Sequence, residues 1–97
     1  MNMTKHAKKR QQQRGIPPIL IDLLLDYGTE IRAPGQGTTK CYFDKPARRR
    51  LRVYAGHLAS LFEEYLDYYI VIGDDRSVIT VAPLIKRVQQ DIHSSRH

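Results

Sequence analysis

Between Tyr68 and Ala82 the chain reads YYIVIG, DDRS, VITVA: two β-branched and aromatic runs separated by four polar turn formers. β-branched side chains crowd a helix but fit a pleated surface, and a short polar break folds two such runs back on each other as an antiparallel hairpin. Two strands alone are barely stable in water, so one face of this hairpin needs a covering layer. The helix-patterned segments upstream supply it, which predicts an α+β domain.

Thr4 to Arg14 holds good helix formers and little that is apolar, with Ala7 the one obvious inward residue. Gly15 ends this helix, and Pro17 and Pro18 suit the first turn of a second, running from about Pro18 to Tyr27 and stopped by Gly28. Leu20, Leu23, Leu24 and Tyr27 make one apolar stripe and Ile21 and Leu25 another, leaving Asp22 and Asp26 for water. Such a helix is covered on most sides, either between the sheet and another helix or by a second subunit.

PGQGT at 34–38 reads as a loop, and TTKCYFD as a half-buried strand in which Thr39, Cys41 and Phe43 alternate with Lys40 and Tyr42. Asp44 then caps a long middle helix from Pro46 to Tyr65, patterned by Leu51, Tyr54, Leu58, Leu61, Phe62 and Tyr65; Gly56 within it costs roughly 1 kcal/mol relative to Ala. After Pro83, the spacing of Leu84, Val88 and Ile92 predicts a short final helix ahead of a frayed HSSRH. The expected fold is α+β: two N-terminal helices and a longer middle helix packed on a small antiparallel sheet ending in a β-hairpin.

With 97 residues the chain suits a single domain, 1–97, with a core over about 4–92. Its lone cysteine, Cys41, excludes an intrachain disulfide and points to a cytoplasmic protein. No apolar run approaches the roughly 20 residues that span a bilayer, and the first residues lack the apolar region of a secretory signal, so no membrane is expected as a partner. Four histidines and one cysteine show no paired zinc spacing, and Gly35-Gln36-Gly37 lacks the Lys-Ser/Thr of a phosphate loop. Neither metal nor cofactor is expected. Asp74 and Asp75 are turn residues. A net charge of +6 instead calls for an anionic partner, nucleic acid or an acidic protein, and a homodimer stays open.

The segment HAKKRQQQRGI puts His6, Arg10 and Arg14 four residues apart, in line on one helix face. Each Arg offers a planar fork to phosphate, and His exchanges protons near neutral pH. This opening, H-A-x-x-R-x-x-x-R-G-I, with the apolar helix ending at Gly28 and the later V-I-T-V strand, resembles a small bacterial domain family of unknown function. That family is similar to the RelE-like and BrnT-like toxins of toxin–antitoxin modules. The resemblance covers His6 to Gly28 and, more loosely, Tyr68 to Val81, and the long middle helix has no counterpart in the compact toxins. It implies a metal-independent ribonuclease fold, RNA as ligand and an acidic antitoxin as partner. Catalytic side chains vary within that class, so only His6, Arg10 and Arg14 match the motif as catalytic candidates.

Metal-free RNA cleavage uses the 2′-hydroxyl as nucleophile and needs a base, an acid and cations for the phosphorane charge. His6 suits proton exchange, Arg10 and Arg14 phosphate holding, and Lys86 or Arg87 closure from another side. Lys9 adds charge to the first helix, Arg48, Arg49 and Arg52 form a second basic block, and Tyr42 and Thr80 suit substrate orientation on a sheet face. Equally, His6, Arg10 and Arg14 are ordinary solvated positions, with Arg14 paired to Asp22 or Asp26. Tyr65, Tyr68 and Tyr69 suit the finishing of a core more than base stacking, and Cys41 a buried apolar role. Reading DNA through the first two helices is disfavoured, because the second is too Leu-rich to face a groove.

Overall fold

A computed structural model describes residues 2–84. The elements are α1 (Lys5–Gln13), α2 (Pro18–Tyr27), β1 (Thr29–Ala33), β2 (Thr38–Tyr42), α3 (Lys45–Ala55), a 3₁₀ segment (Gly56–Tyr65), β3 (Tyr68–Gly73) and β4 (Val78–Pro83). The strands form one antiparallel sheet in the order β1-β2-β3-β4, with the described helices on one face, so the fold is α+β with the expected hairpin at β3–β4. The final helix anticipated after Pro83, with Lys86 and Arg87, lies outside the described residues.

α1 starts at Thr4, whose hydroxyl accepts from the Ala7 N–H at 3.1 Å. Ala7 and Gln11 turn inward, and the Gln11 amide donates to the Ile16 carbonyl at 2.7 Å, so this buried polar group is satisfied. Just ahead of the helix, the Val78 N–H donates to Asn2 O (2.8 Å) and the Thr4 N–H to Val78 O (2.9 Å). Residues 2–4 therefore occupy the outer edge of β4 at Val78, and α1 packs against the strand.

α2 buries Leu20, Ile21, Leu23 and Leu24 against β2, β3 and α3, which settles its covered stripes as contacts within the chain. Gly28 ends it with no room to spare: a Cβ there would stand 2.5 Å from the Leu24 carbonyl oxygen. The chain leaves directly into β1, a strand the composition does not announce. In TEIRA neither face carries an apolar row, and pairing with β2 makes it a strand.

Asp44 caps α3, accepting from the Ala47 N–H at 2.9 Å and from the Thr29 hydroxyl at 2.8 Å. The middle helix is longer than the two before it, as expected, but it does not run on to Tyr65. Gly56 adopts φ +59°, α3 ends at Ala55, and residues 56–65 wind on as 3₁₀ turns. At three residues per turn rather than 3.6, the apolar spacing no longer lies along one line. Leu51 is buried and Phe62 and Tyr65 pack on the core, while Tyr54, Leu58 and Leu61 are exposed.

Antiparallel register sorts the sheet into two faces. Cys41, Ile70 and Val81 stand side by side toward the helices, all fully or almost fully buried. The opposite face carries two rows, Ile31–Lys40–Val71–Thr80 and Tyr42–Tyr69–Ala82.

Candidate nucleic-acid interface

The open face takes its chemistry from strand alternation. Burial of Cys41 and Ile70 on the helix side obliges Lys40, Tyr42, Tyr69 and Val71 to project from the other. Tyr42 and Tyr69 are opposite neighbours in the ladder. The Lys40 Nζ lies 4.4 Å from the Tyr69 ring centroid and 5.7 Å from that of Tyr42, a cation over aromatic faces. These three side chains line a groove of about 630 Å³ that also takes in Ile31, Lys45 and Leu84. Thr80 stands two strands from Lys40 in the same row, so Tyr42 and Thr80 do share one sheet face.

The first helix presents the other cationic surface. With Ala7 and Gln11 turned inward, His6, Lys9, Arg10 and Arg14 are all exposed. None makes an ion pair or side-chain hydrogen bond among the described residues, so the expected pairing of Arg14 with Asp22 or Asp26 is not formed. No carboxylate orients His6 there, and none of His6, Arg10 and Arg14 lines the groove. Their helix packs through Ala7 on the side of the sheet that holds the core.

The second basic block splits into two kinds of residue. Arg48, with a side chain only 20% exposed, is a strut: its guanidinium donates to Phe43 O (3.2 Å), Leu66 O (3.1 Å) and Asp67 Oδ1 (2.8 Å). It forms part of the groove wall, with Nε and Nη2 engaged inside the chain. Arg50 likewise donates to Tyr27 O at 3.1 Å and to the Thr29 hydroxyl at 3.3 Å. Arg49 and Arg52 are exposed and make no such bonds among the described residues. Packing demands at the α3 N-terminus thus decide which arginines stay free.

Cys41 is fully buried, and burial pushes its thiol up to about 11; the Glu30 carboxylate adds to the rise and Arg76 opposes it. A thiol held neutral in this way is no nucleophile near neutral pH. Asp75 serves the β3–β4 turn, accepting from the Ser77 N–H at 3.0 Å, and this bond holds its carboxyl below the usual range. Asp74 pairs with Arg32. Among the described residues no group of three His, Cys, Asp or Glu side chains is placed to hold a metal, and no helix is long and apolar enough to cross a membrane.

Lys40, Lys45, Ile31 and Tyr69 are among the groove residues that sequence reasoning did not select. Alternation from the apolar Ile70 already puts Tyr69 and Val71 on one face, but the pairing of Tyr69 with Tyr42 depends on a register set across more than twenty residues of intervening chain. No family model, curated protein or solved structure matches the chain.

Proposed function

We propose that this chain binds single-stranded nucleic acid, RNA in preference to DNA, with bases stacked on the open sheet face and phosphates drawn to Lys40 and Lys45 in the same groove. The observation that carries this reading is the Lys40–Tyr42–Tyr69 cluster on a sheet face that the described helices leave bare. Unpaired bases stack on aromatic rings and their backbones follow cationic side chains, whereas a duplex hides its bases from such a platform. The net charge of +6 supports the same reading. The preference for RNA rests on the resemblance of the HAKKRQQQRGI opening to the toxin-like domains.

Cleavage forms no part of the proposal. His6 has no orienting carboxylate among the described residues and does not line the groove.

Fluorescence anisotropy with a labelled single-stranded RNA tests the reading directly. Binding is expected in the micromolar range at low salt, weakening as salt rises with a slope near 0.7 per phosphate contact, for about four contacts. An unlabelled DNA of the same sequence should compete less well. Absence of binding by folded protein at low salt overturns the proposal.

One observation favours a second reading, a protein partner. Val53, Tyr54, Leu58 and Leu61 are all exposed within residues 53–61, next to the unpaired Arg49 and Arg52. Apolar side chains ringed by cations suit an acidic amphipathic segment. The result that supports this reading is binding of a small acidic protein encoded beside this chain, abolished by Leu58→Asp with Leu61→Asp.

A further inference from the structure

The two edges of the sheet are unlike. At β4, residues 2–4 bond to Val78 and α1 packs alongside. At β1, Glu30, Ile31 and Arg32 are exposed, and among the described residues the outward backbone groups of the strand meet no other strand. An exposed edge is a template for another strand unless the fold blocks it; residues 2–4 take the Val78 end of β4, and no described segment does the same for β1.

β1 runs from Thr29 to Ala33, so its midpoint is Ile31. A second β1 laid antiparallel about that midpoint places Ile31 opposite Ile31, Glu30 opposite Arg32 and Thr29 opposite Ala33. Glu30 and Arg32 lie on the same face of the strand, so both cross-strand charge pairs are attractive. Each charge is already paired within its own chain, Glu30 with Arg76 at 3.3 Å and Arg32 with Asp74 at 3.0 Å. The two-fold therefore lines up rows of alternating sign: Arg76, Glu30, then Arg32 and Asp74 of the second copy. On the other face, Ile31 is 52% exposed, a large apolar side chain on the rim of the groove.

From this self-complementary edge we infer that two copies of the chain join through β1 into an eight-stranded antiparallel sheet. The contact is isologous and uses up the β1 edge of both copies, so it closes on itself at the dimer instead of growing into a filament. Both open faces lie on the same side of the joined sheet, and the two Ile31 side chains bring the two grooves together at the axis. The inference does not depend on what the groove binds. A five-residue ladder is a small interface, so the dimer is weak, with Kd of about 10–100 µM.

Sedimentation equilibrium on the ligand-free protein, from about 5 µM to about 1 mM, tests this. Wild type is expected to pass from monomer to dimer across that range. Ile31→Lys sets two like charges on the axis, and Arg32→Glu opposes Glu30 with a second carboxylate; each should weaken the dimer at least about tenfold. The double swap Glu30→Arg with Arg32→Glu restores both cross-strand pairs. Inside each chain it sets the introduced guanidinium against Arg76 and the introduced carboxylate against Asp74, so recovery of dimer is attributable to the contact between copies alone. All the altered side chains are exposed, and thermal melts verify that each variant is folded. A wild type that stays monomeric to about 1 mM, a dimer indifferent to Ile31→Lys, or a folded double swap that remains monomeric each overturns the inference.

Discussion

Tyr42 on β2 and Tyr69 on β3 are direct ladder partners on the open face of the sheet, and the Lys40 ammonium sits over both rings, closer to Tyr69. Two flat apolar faces beside a cation make a surface suited to stacked bases rather than to a buried core.

Tyr42→Ala and Tyr69→Ala are each expected to weaken single-stranded RNA binding by about 1–3 kcal/mol, roughly 5- to 150-fold in Kd. Both side chains are only half-buried, so the fold should survive. Anisotropy titrations with thermal melts on the same samples check this, and a double variant that binds as tightly as wild type refutes the stacking surface.

Lys45→Ala, at an exposed groove residue, should act differently from the tyrosine variants. Loss of a phosphate contact lowers affinity for all sequences alike and reduces the salt slope by about 0.7 per residue. Titrations at several salt concentrations separate that signature from lost stacking.

The arginines of α3 should divide by stability. Arg48→Ala removes three internal hydrogen bonds and leaves the Phe43 and Leu66 carbonyls without this donor, at a cost of about 1–3 kcal/mol. Arg49→Ala and Arg52→Ala should stay within about 0.5 kcal/mol of wild type. Urea denaturation of the three variants makes the comparison.

Asp44 makes the fold acid-sensitive. The Ala47 N–H, and after it the Thr29 hydroxyl and Arg50, hold its carboxyl below the usual Asp value against some desolvation. A folded-state pKa below the unfolded one stabilises the fold above the unfolded value, and that contribution is lost as pH falls through the folded value. Asp44→Ala should therefore cost about 0.5–2 kcal/mol at neutral pH, with the gap to wild type narrowing in acid. Denaturant midpoints measured for both proteins over an acid series read this out.

Cys41 should show the opposite dependence. Its folded pKa is raised from 9.0 to about 11, so the neutral thiol supports the fold fully below the unfolded value and its contribution falls as pH rises between the two. Native protein should resist alkylation until it is unfolded. Cys41→Ala should lack the part of the alkaline stability loss that belongs to this thiol, measurable by denaturation at alkaline pH.

The hairpin from Tyr68 to Ala82, the apolar α2 and the Asp44 cap were legible in the chain because each rests on interactions between residues near in sequence: alternation, helical spacing, and a side chain bonding to an N–H three residues on. Local patterning also placed Cys41 inward and left His6, Arg10 and Arg14 outward. It could not announce β1, whose charged residues take strand geometry only because β2 offers a ladder, nor the end of α3, where Gly56 takes a positive φ that its neighbours' helix propensity argues against. Nor could it separate Arg48 from Arg49, since the carbonyls that claim Arg48 come from Phe43 and Leu66 on either side of the helix and its 3₁₀ continuation. The groove itself is a product of register: Lys40, Tyr42 and Tyr69 converge only when β2 and β3 pair across the whole of α3, an arrangement set by burial on the other face of the sheet.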